Sequence, residues 1–240
     1  MDAAVIWHDV EHGSYEADLP LWRELAEAAG GPILDLGAGT GRVAADLAAR
    51  GHEVVALDSD PDLLATLAER APQVTTVTGD ARDFALEARF VLVIAPMQLV
   101  HIVGGRDGRL AMLRRVHAHL QEGGTFAAAL VEPRDALPEA GAEADTSPPL
   151  PDMLESDGWV FSSQPVSVRE RNGRAVVTRS RQAVSPTGTL EEELVEIALD
   201  VLSVKEFRTE LEAAGFADVG SRKVPETPDH IGSTVVVCRR

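Results

Sequence analysis

Cysteine is almost absent. Cys238 stands alone among 240 residues, so no disulfide within the chain can hold the fold. With Val235, Val236 and Val237 before it, it reads as a small buried apolar side chain of a strand. Basic residues are scarce beside acidic ones: 22 Lys and Arg face 39 Asp and Glu, a formal net charge of −17. Lys and Arg supply most nucleic-acid affinity by neutralising phosphates, and anionic lipid repels the same surface. The charge therefore argues against nucleic-acid and membrane partners. Long apolar runs are missing too; the longest, Phe90 to Ala95, falls far short of the roughly 20 residues that span a bilayer. Met1 to Val5 lacks a basic stretch followed by an apolar run, so no signal peptide is expected and the chain reads as soluble and cytoplasmic.

What is present is ordinary globular material, 45% hydrophobic and 25% charged. A chain of this length buries roughly 70–75% of its unfolded surface, enough for a core without metal or disulfide. Leu21 to Ala29 has helical spacing and stops at Gly30-Gly31. Short apolar runs then alternate with helical patterns. The runs are Ile33–Leu36, Glu53–Leu57, Val74–Thr78, Phe90–Ala95 and Thr125–Val131. The helical stretches are Arg42–Arg50, Pro61–Arg70 and Leu110–Leu120, the last stopped by Gly123-Gly124. Such alternation predicts βαβ units: an α/β fold with a mostly parallel sheet covered by helices on both faces.

The rhythm breaks after Val131. Residues 132–158 are rich in Pro, Asp, Glu and Ala and read as an irregular connection. Trp159–Arg169 and Ala175–Val184 read as strands joined near Asn172-Gly173, a strong hairpin signal, and a third strand follows around Glu193–Leu199. This is an antiparallel β insertion after the fifth strand. A helix over Val204–Ala214 and strands from Phe216 and over Ser233–Val237 complete the core, seven strands in all. The chain divides into an N-terminal segment (1–30, with Gly13 breaking any long helix), a core (31–131), the insertion (132–200) and the last helix and strands (201–240).

Asp35-Leu36-Gly37-Ala38-Gly39-Thr40-Gly41-Arg42 sits where the first strand turns into the first helix, at the carboxyl edge of the sheet, where open α/β folds bind ligands. Glycines there let the backbone pass close to a ligand. A dinucleotide loop needs Gly-x-Gly-x-x-Gly; here the spacing is Gly37-x-Gly39-x-Gly41, and Arg42 stands in place of the third glycine. No Gly-Lys-Ser/Thr follows, which excludes a P-loop.

The segment Asp35–Gly41 resembles the first motif of class I S-adenosylmethionine-dependent methyltransferases, a Rossmann-like fold. Val54–Asp58, Val77–Arg82 and Phe90–Ala95 agree with that family in order and spacing, and Leu211–Phe216 is similar to its late helix–strand junction. The resemblance implies that residues 31–131 bind S-adenosylmethionine. Asp58 would accept both ribose hydroxyls, with Ser59 beside it. Asp80 would take the adenine amino group and the Ala81 amide a ring nitrogen. Gly37, Ala38, Gly39 and Gly41 would form the loop around the methionine moiety, Asp35 would order that loop and hold the ammonium, and Ala95 would end the fourth strand against the cofactor.

Methyl transfer is an in-line displacement, so alignment of the nucleophile does most of the work. The family's nucleic-acid and protein-amide members carry Asn/Asp-Pro-Pro-Tyr/Phe after the fourth strand. Here the segment is Ile94-Ala95-Pro96-Met97-Gln98-Leu99-Val100-His101, which argues for a different acceptor. Gln98 could orient a substrate and His101 could act as a base. His117 and His119 read as helix-surface residues. The insertion resembles that of glycine and amino-sugar N-methyltransferases, which places Trp7, His8, His12 and Tyr15 in a lid, with Tyr15 as a further candidate at the reaction site. No acid pair follows the fourth strand, so no metal is expected. The reading is transfer of a methyl group to N or O of a small-molecule acceptor, by a monomer or homodimer. The alternative is a non-catalytic adenosylmethionine-binding module, regulatory or assembly-related.

Overall fold

The computed structural model describes residues 2–131, 150–227 and 230–240. Five strands, β1 (Ile33–Leu36), β2 (Val54–Asp58), β3 (Thr75–Thr78), β4 (Phe90–Ala95) and β5 (Leu120–Leu130), are joined by β10 (Ala217–Val224) and β11 (Ser233–Arg239). They form one sheet in the order β10-β11-β5-β4-β1-β2-β3. The pairs from β5 to β3 are parallel, and β11 runs antiparallel to both of its neighbours. This is the seven-stranded Rossmann-like sheet expected from the sequence.

Alternation along each strand divides the core into two layers, because successive side chains leave opposite faces of a pleated strand. Ile33, Leu92, Ile94, Ala127 and Ala129 pack with Trp22, Val43, Leu47, Leu64 and Leu67. These belong to α2 (Leu19–Ala29), α3 (Arg42–Ala49) and α4 (Pro61–Arg70). Leu34, Leu36, Val93, Phe126 and Ala128 pack on the other face with Met112, Leu113, Val116, Phe207 and Leu211. Those lie on α6 (Gly105–His119) and α7 (Val204–Ala213). Covered on both faces, the central strands are apolar throughout rather than alternating.

Between β5 and α7 the chain builds a second, antiparallel sheet, β6 (Asp152–Ser156), β7 (Trp159–Arg171), β8 (Arg174–Val184) and β9 (Leu190–Asp200), paired in chain order. It is the expected insertion, with one strand more: β6 lies in the stretch read as irregular. Residues 132–149 of that stretch are outside the described residues. The N-terminal segment also differs. Residues Ala3–His12 form a helix, α1, whose N-terminus is capped by the Asp2 side chain accepting from Ala4 N. Its apolar side, Ile6, Trp7 and Val10, packs on Phe161, Ala183, Leu154 and Trp159 of the insertion. Polar links fix the same contact: Glu11 accepts from Arg181 at 2.8 and 3.1 Å and from Ser163 Oγ at 2.7 Å. A helical turn, α5 (Leu99–Ile102), follows β4.

His119 departs from its surface reading. It is 7% exposed, its ring centroid lies 4.5 Å from that of Phe84, and its Nε2 accepts from Leu86 N at 2.9 Å. It faces inward because it lies on the side of α6 that packs on the sheet with Met112 and Val116. His117 is half-buried, edge-on to Phe216.

Candidate active site

The strand order turns back between β1 and β4, and the carboxyl ends of β1, β2 and β3 open there onto a cavity of about 540 Å³. Gly41 has φ +91°, and a β-carbon on it would stand 2.1 Å from Leu67 Cδ1, so the turn into α3 admits only glycine. Gly39 has φ +55°, and its N–H donates to Asp58 Oδ2 at 2.8 Å. That bond ties the glycine loop to the end of β2. The other oxygen of Asp58 accepts from Asp60 N at 3.0 Å.

Four carboxylates line the cavity: Asp35 in β1, Asp58 at the end of β2, Asp60 just past it and Asp80 just past β3. Asp35 is 1% exposed. Among the described residues its Oδ1 has no hydrogen-bond partner. Burial pushes its pKa up to about 8, with the nearby Asp58 charge adding to the effect and Arg42 opposing it. Asp80 accepts from Arg82 Nε at 2.9 and 3.0 Å and from Arg82 N at 2.8 Å, and hydrogen bonding to that guanidinium holds its carboxyl below the usual range. The pair is half exposed, so it is weak enough to exchange partners.

Of the other residues singled out in the sequence, Gly37, Ala38, Ser59, Ala81 and Gln98 line the cavity. Gly39 and Gly41 shape its loop, and Ala95 is fully buried at the end of β4. Tyr15 does not line it. Its ring lies under the Arg42 guanidinium (5.2 Å) and against His230 (4.8 Å). Arg42, which replaces the third glycine of a dinucleotide loop, pairs with Asp18 at 2.6 and 2.8 Å and donates to Tyr15 O at 2.7 Å. Asp18 in turn accepts from Trp22 Nε1 at 2.8 Å. Tyr15 thus supports an ion pair behind the glycine loop rather than reaching the reaction site.

His101 is also placed otherwise than expected. It is 0% exposed and absent from the cavity wall. A carbonyl oxygen only accepts, so Nδ1 carries the proton toward Asp200 O at 2.8 Å, and Nε2 accepts from Val131 N at 3.2 Å. Both nitrogens are committed, leaving no lone pair for a substrate proton. The reading as a base is corrected to a structural tie.

Met97, Leu99, Ile102 and Ile197 are among the cavity residues that were not legible as such. Met97 has φ +57°, a strained conformation at the turn after β4. Ile102 is 53% exposed, an apolar side chain on the rim, and Ile197 arrives from β9 of the insertion. Trp7 packs on Phe161, whereas His8 and His12 reach the cavity from α1. Among the described residues no cluster of three or more His, Cys, Asp or Glu could hold a metal ion, and no helix is long and apolar enough to cross a membrane.

Residues 33–124 match the family described as "Methyltransferase domain". Over 96 residues the chain is 35% identical to an uncharacterised methyltransferase of Mycobacterium bovis, covering 38% of this chain and 40% of that protein. Over 140 residues it is 29% identical to the dTDP-3-amino-3,4,6-trideoxy-alpha-D-glucopyranose N,N-dimethyltransferase of Streptomyces venezuelae, covering 58% and 56%. The chain thus matches roughly half the length of these curated relatives. The solved structure of the amino pentose methyltransferase CalS10 of Micromonospora echinaspora, bound to S-adenosylmethionine, superposes with a TM-score of 0.76 at 19% identity, over 100% of this chain and 97% of that one. That likeness speaks for the fold.

Residues 33–124 are thus similar to a methyltransferase domain, and the likeness to CalS10 shows the Rossmann-like methyltransferase fold. The CalS10 structure holds S-adenosylmethionine. The residues present fit it: a buried, unpartnered carboxylate oxygen on Asp35 suits an ammonium, and half-exposed acids end β2 and follow β3.

Proposed function

We propose that this protein transfers the methyl group of S-adenosylmethionine to a nitrogen or oxygen of a small-molecule acceptor, and that a sugar amine is the acceptor class to test first. The observation that carries the reading is the gathering of Asp35, Asp58 and Asp80 in one cavity roofed by α1 and β9. The sugar amine is suggested by what the Streptomyces venezuelae relative and CalS10 are named for.

When bound, the cofactor supplies a methyl group already activated on sulfonium, so the protein need only align and desolvate. In this reading Asp58 accepts the ribose hydroxyls. Asp80 leaves Arg82 for the adenine amino group, Ala81 offers its amide, and Asp35 takes the ammonium. Met97, Ile102 and Ile197 exclude water from the acceptor side, and the Gln98 amide orients the acceptor. The net charge of −17 stands against a nucleic-acid acceptor.

The test is a turnover assay with S-adenosylmethionine and a panel of nucleotide-linked amino sugars, each paired with its deaminated analogue. The reading expects one or two methyl additions by mass spectrometry, only with the amines. Methylation of analogues alone would move the acceptor from nitrogen to oxygen. Absence of turnover with any small acceptor, beside intact cofactor binding, would contradict the reading.

A further inference from the structure

Two imidazoles reach the cavity from α1, and their protonation pattern is fixed by neighbours that can act in only one way. Asp9 can only accept, so Thr40 gives its single hydroxyl proton to Asp9 Oδ1, 2.7 Å away. Asp9 also takes two N–H groups of Arg70, at 3.1 and 2.6 Å. Thr40 Oγ1 is then the acceptor toward His8 Nδ1 at 3.2 Å, and His8 carries its proton on Nδ1. The carbonyl oxygen of His8 likewise accepts from His12 Nδ1 at 3.1 Å. In both rings Nε2 is therefore the unprotonated nitrogen. The ring centroids lie 4.8 Å apart.

The place of the pair is as specific as its protonation. A β-carbon on Gly39 would stand 2.2 Å from His8 Nε2, so this nitrogen rests on the glycine loop. The same glycine donates its N–H to Asp58. His8 thus sits where the methionine-binding loop meets the ribose-binding carboxylate. In S-adenosylmethionine the atom joining those two parts is the sulfonium sulfur.

We propose that His8 and His12 form an uncharged wall that recognises the sulfonium, favouring the cationic cofactor over the neutral product S-adenosylhomocysteine. The proposal rests on the cofactor reading above. In the reaction the acceptor's lone pair forms the new bond to the methyl carbon as the carbon–sulfur bond breaks, and its electron pair returns to sulfur. The positive charge leaves with the methylated acceptor. A wall tuned to the sulfonium thereby loosens its hold as the product forms.

The charged groups around the pair come from four elements. Asp9 and Glu11 on α1, Asp58 at the end of β2 and Arg42 at the start of α3 act on His8; Glu11, His8 and Arg179 of β8 act on His12. Burial outweighs the acids and holds both imidazoles below the ordinary histidine range, His12 at about 4. Protonation of either would set a like charge beside the sulfonium.

The experiment is calorimetric titration of the full chain with S-adenosylmethionine and, separately, S-adenosylhomocysteine, between pH 8 and pH 5. Wild type is compared with His8→Lys, His12→Lys and the neutral His8→Gln. The expected result is tighter binding of S-adenosylmethionine by wild type, with a ratio that falls as pH is lowered. Either lysine should weaken S-adenosylmethionine at least about tenfold more than S-adenosylhomocysteine, whereas His8→Gln keeps the ratio. Homocysteine-product affinity reports an intact site in each variant, and His12→Lys leaves the Thr40 relay untouched should His8→Lys fail to fold. Lysine variants that weaken both ligands equally, or neither, overturn the proposal while leaving the cofactor reading standing. Failure of wild type to bind either ligand overturns both.

Discussion

The imidazole of His101 bridges the two ends of the insertion: Nδ1 donates to Asp200 O at 2.8 Å and Nε2 accepts from Val131 N at 3.2 Å. Val131 is where the chain leaves the core sheet and Asp200 is where β9 ends, so one side chain fixes the cover that brings Ile197 over the cavity. Burial holds its pKa below 6.5, against the pull of the Asp200 carbonyl. The unfolded chain therefore binds the proton more readily, and stability is lost as pH falls from about 6.5 through the folded value. His101→Ala should cost about 2–4 kcal/mol in denaturant unfolding, from a cavity and two broken hydrogen bonds. In steady-state kinetics its pH–rate profile should keep the wild-type shape; loss of the acid-side limb with unchanged stability would restore His101 as a base.

The Arg109–Glu210 pair locks α6 to α7. Both residues are 5% exposed, and the guanidinium meets the carboxylate at 2.7 and 2.9 Å while reaching Asp200 at 3.1 Å. Removing one partner strands a buried charge. Arg109→Ala should destabilise the fold by about 3–5 kcal/mol, and the double replacement Arg109→Met with Glu210→Leu should recover most of the loss. Equal costs for single and double variants in a urea titration would show that packing, not the stranded charge, dominates.

Asp35 gives a pH dependence of opposite sign. Its folded pKa is raised to about 8 by burial, so between the unfolded value of 3.8 and about 8 the folded state holds the proton more tightly. Stability contributed by the neutral carboxyl is present at low pH and is lost as pH rises through that window. Asp35→Asn, neutral at every pH, should gain on wild type in thermal melts as pH climbs from 5 to 8, while binding S-adenosylmethionine at least about tenfold more weakly. A melting difference that does not vary with pH would contradict the buried-carboxyl account.

The legible parts of the fold were those whose signal is local. β1 to β4 are short apolar runs between helical patterns and match their reading to within a residue or two. β5 was read as starting at Thr125 because Gly123-Gly124 looks like a stop. The strand in fact begins at Leu120, and the pairing with β4 jumps from Phe90–Leu120 to Leu92–Thr125, absorbing the glycines in an irregularity. β6 does carry a local signal. Asp157-Gly158, with φ +50° and +78°, is a two-residue hairpin turn of the same kind as Asn172-Gly173. α1 had no strong signal, because its few apolar residues acquire a partner only once the insertion has folded. At the site, the glycine loop, Asp58 and Asp80 adjoin strand ends and could be placed. The part played by His101 could not, since its partners lie 30 and 99 residues away.

The most direct test of the central claim is a thermal melt of wild type and Asp58→Ala with S-adenosylhomocysteine, and with NADH in parallel. At about 100 times its dissociation constant a ligand adds about 2.7 kcal/mol, which for a chain of this size is a shift of roughly 5–10 °C. The account predicts that shift for wild type with S-adenosylhomocysteine alone, and its loss in Asp58→Ala. A shift with NADH alone, or an undiminished shift in Asp58→Ala, would contradict it.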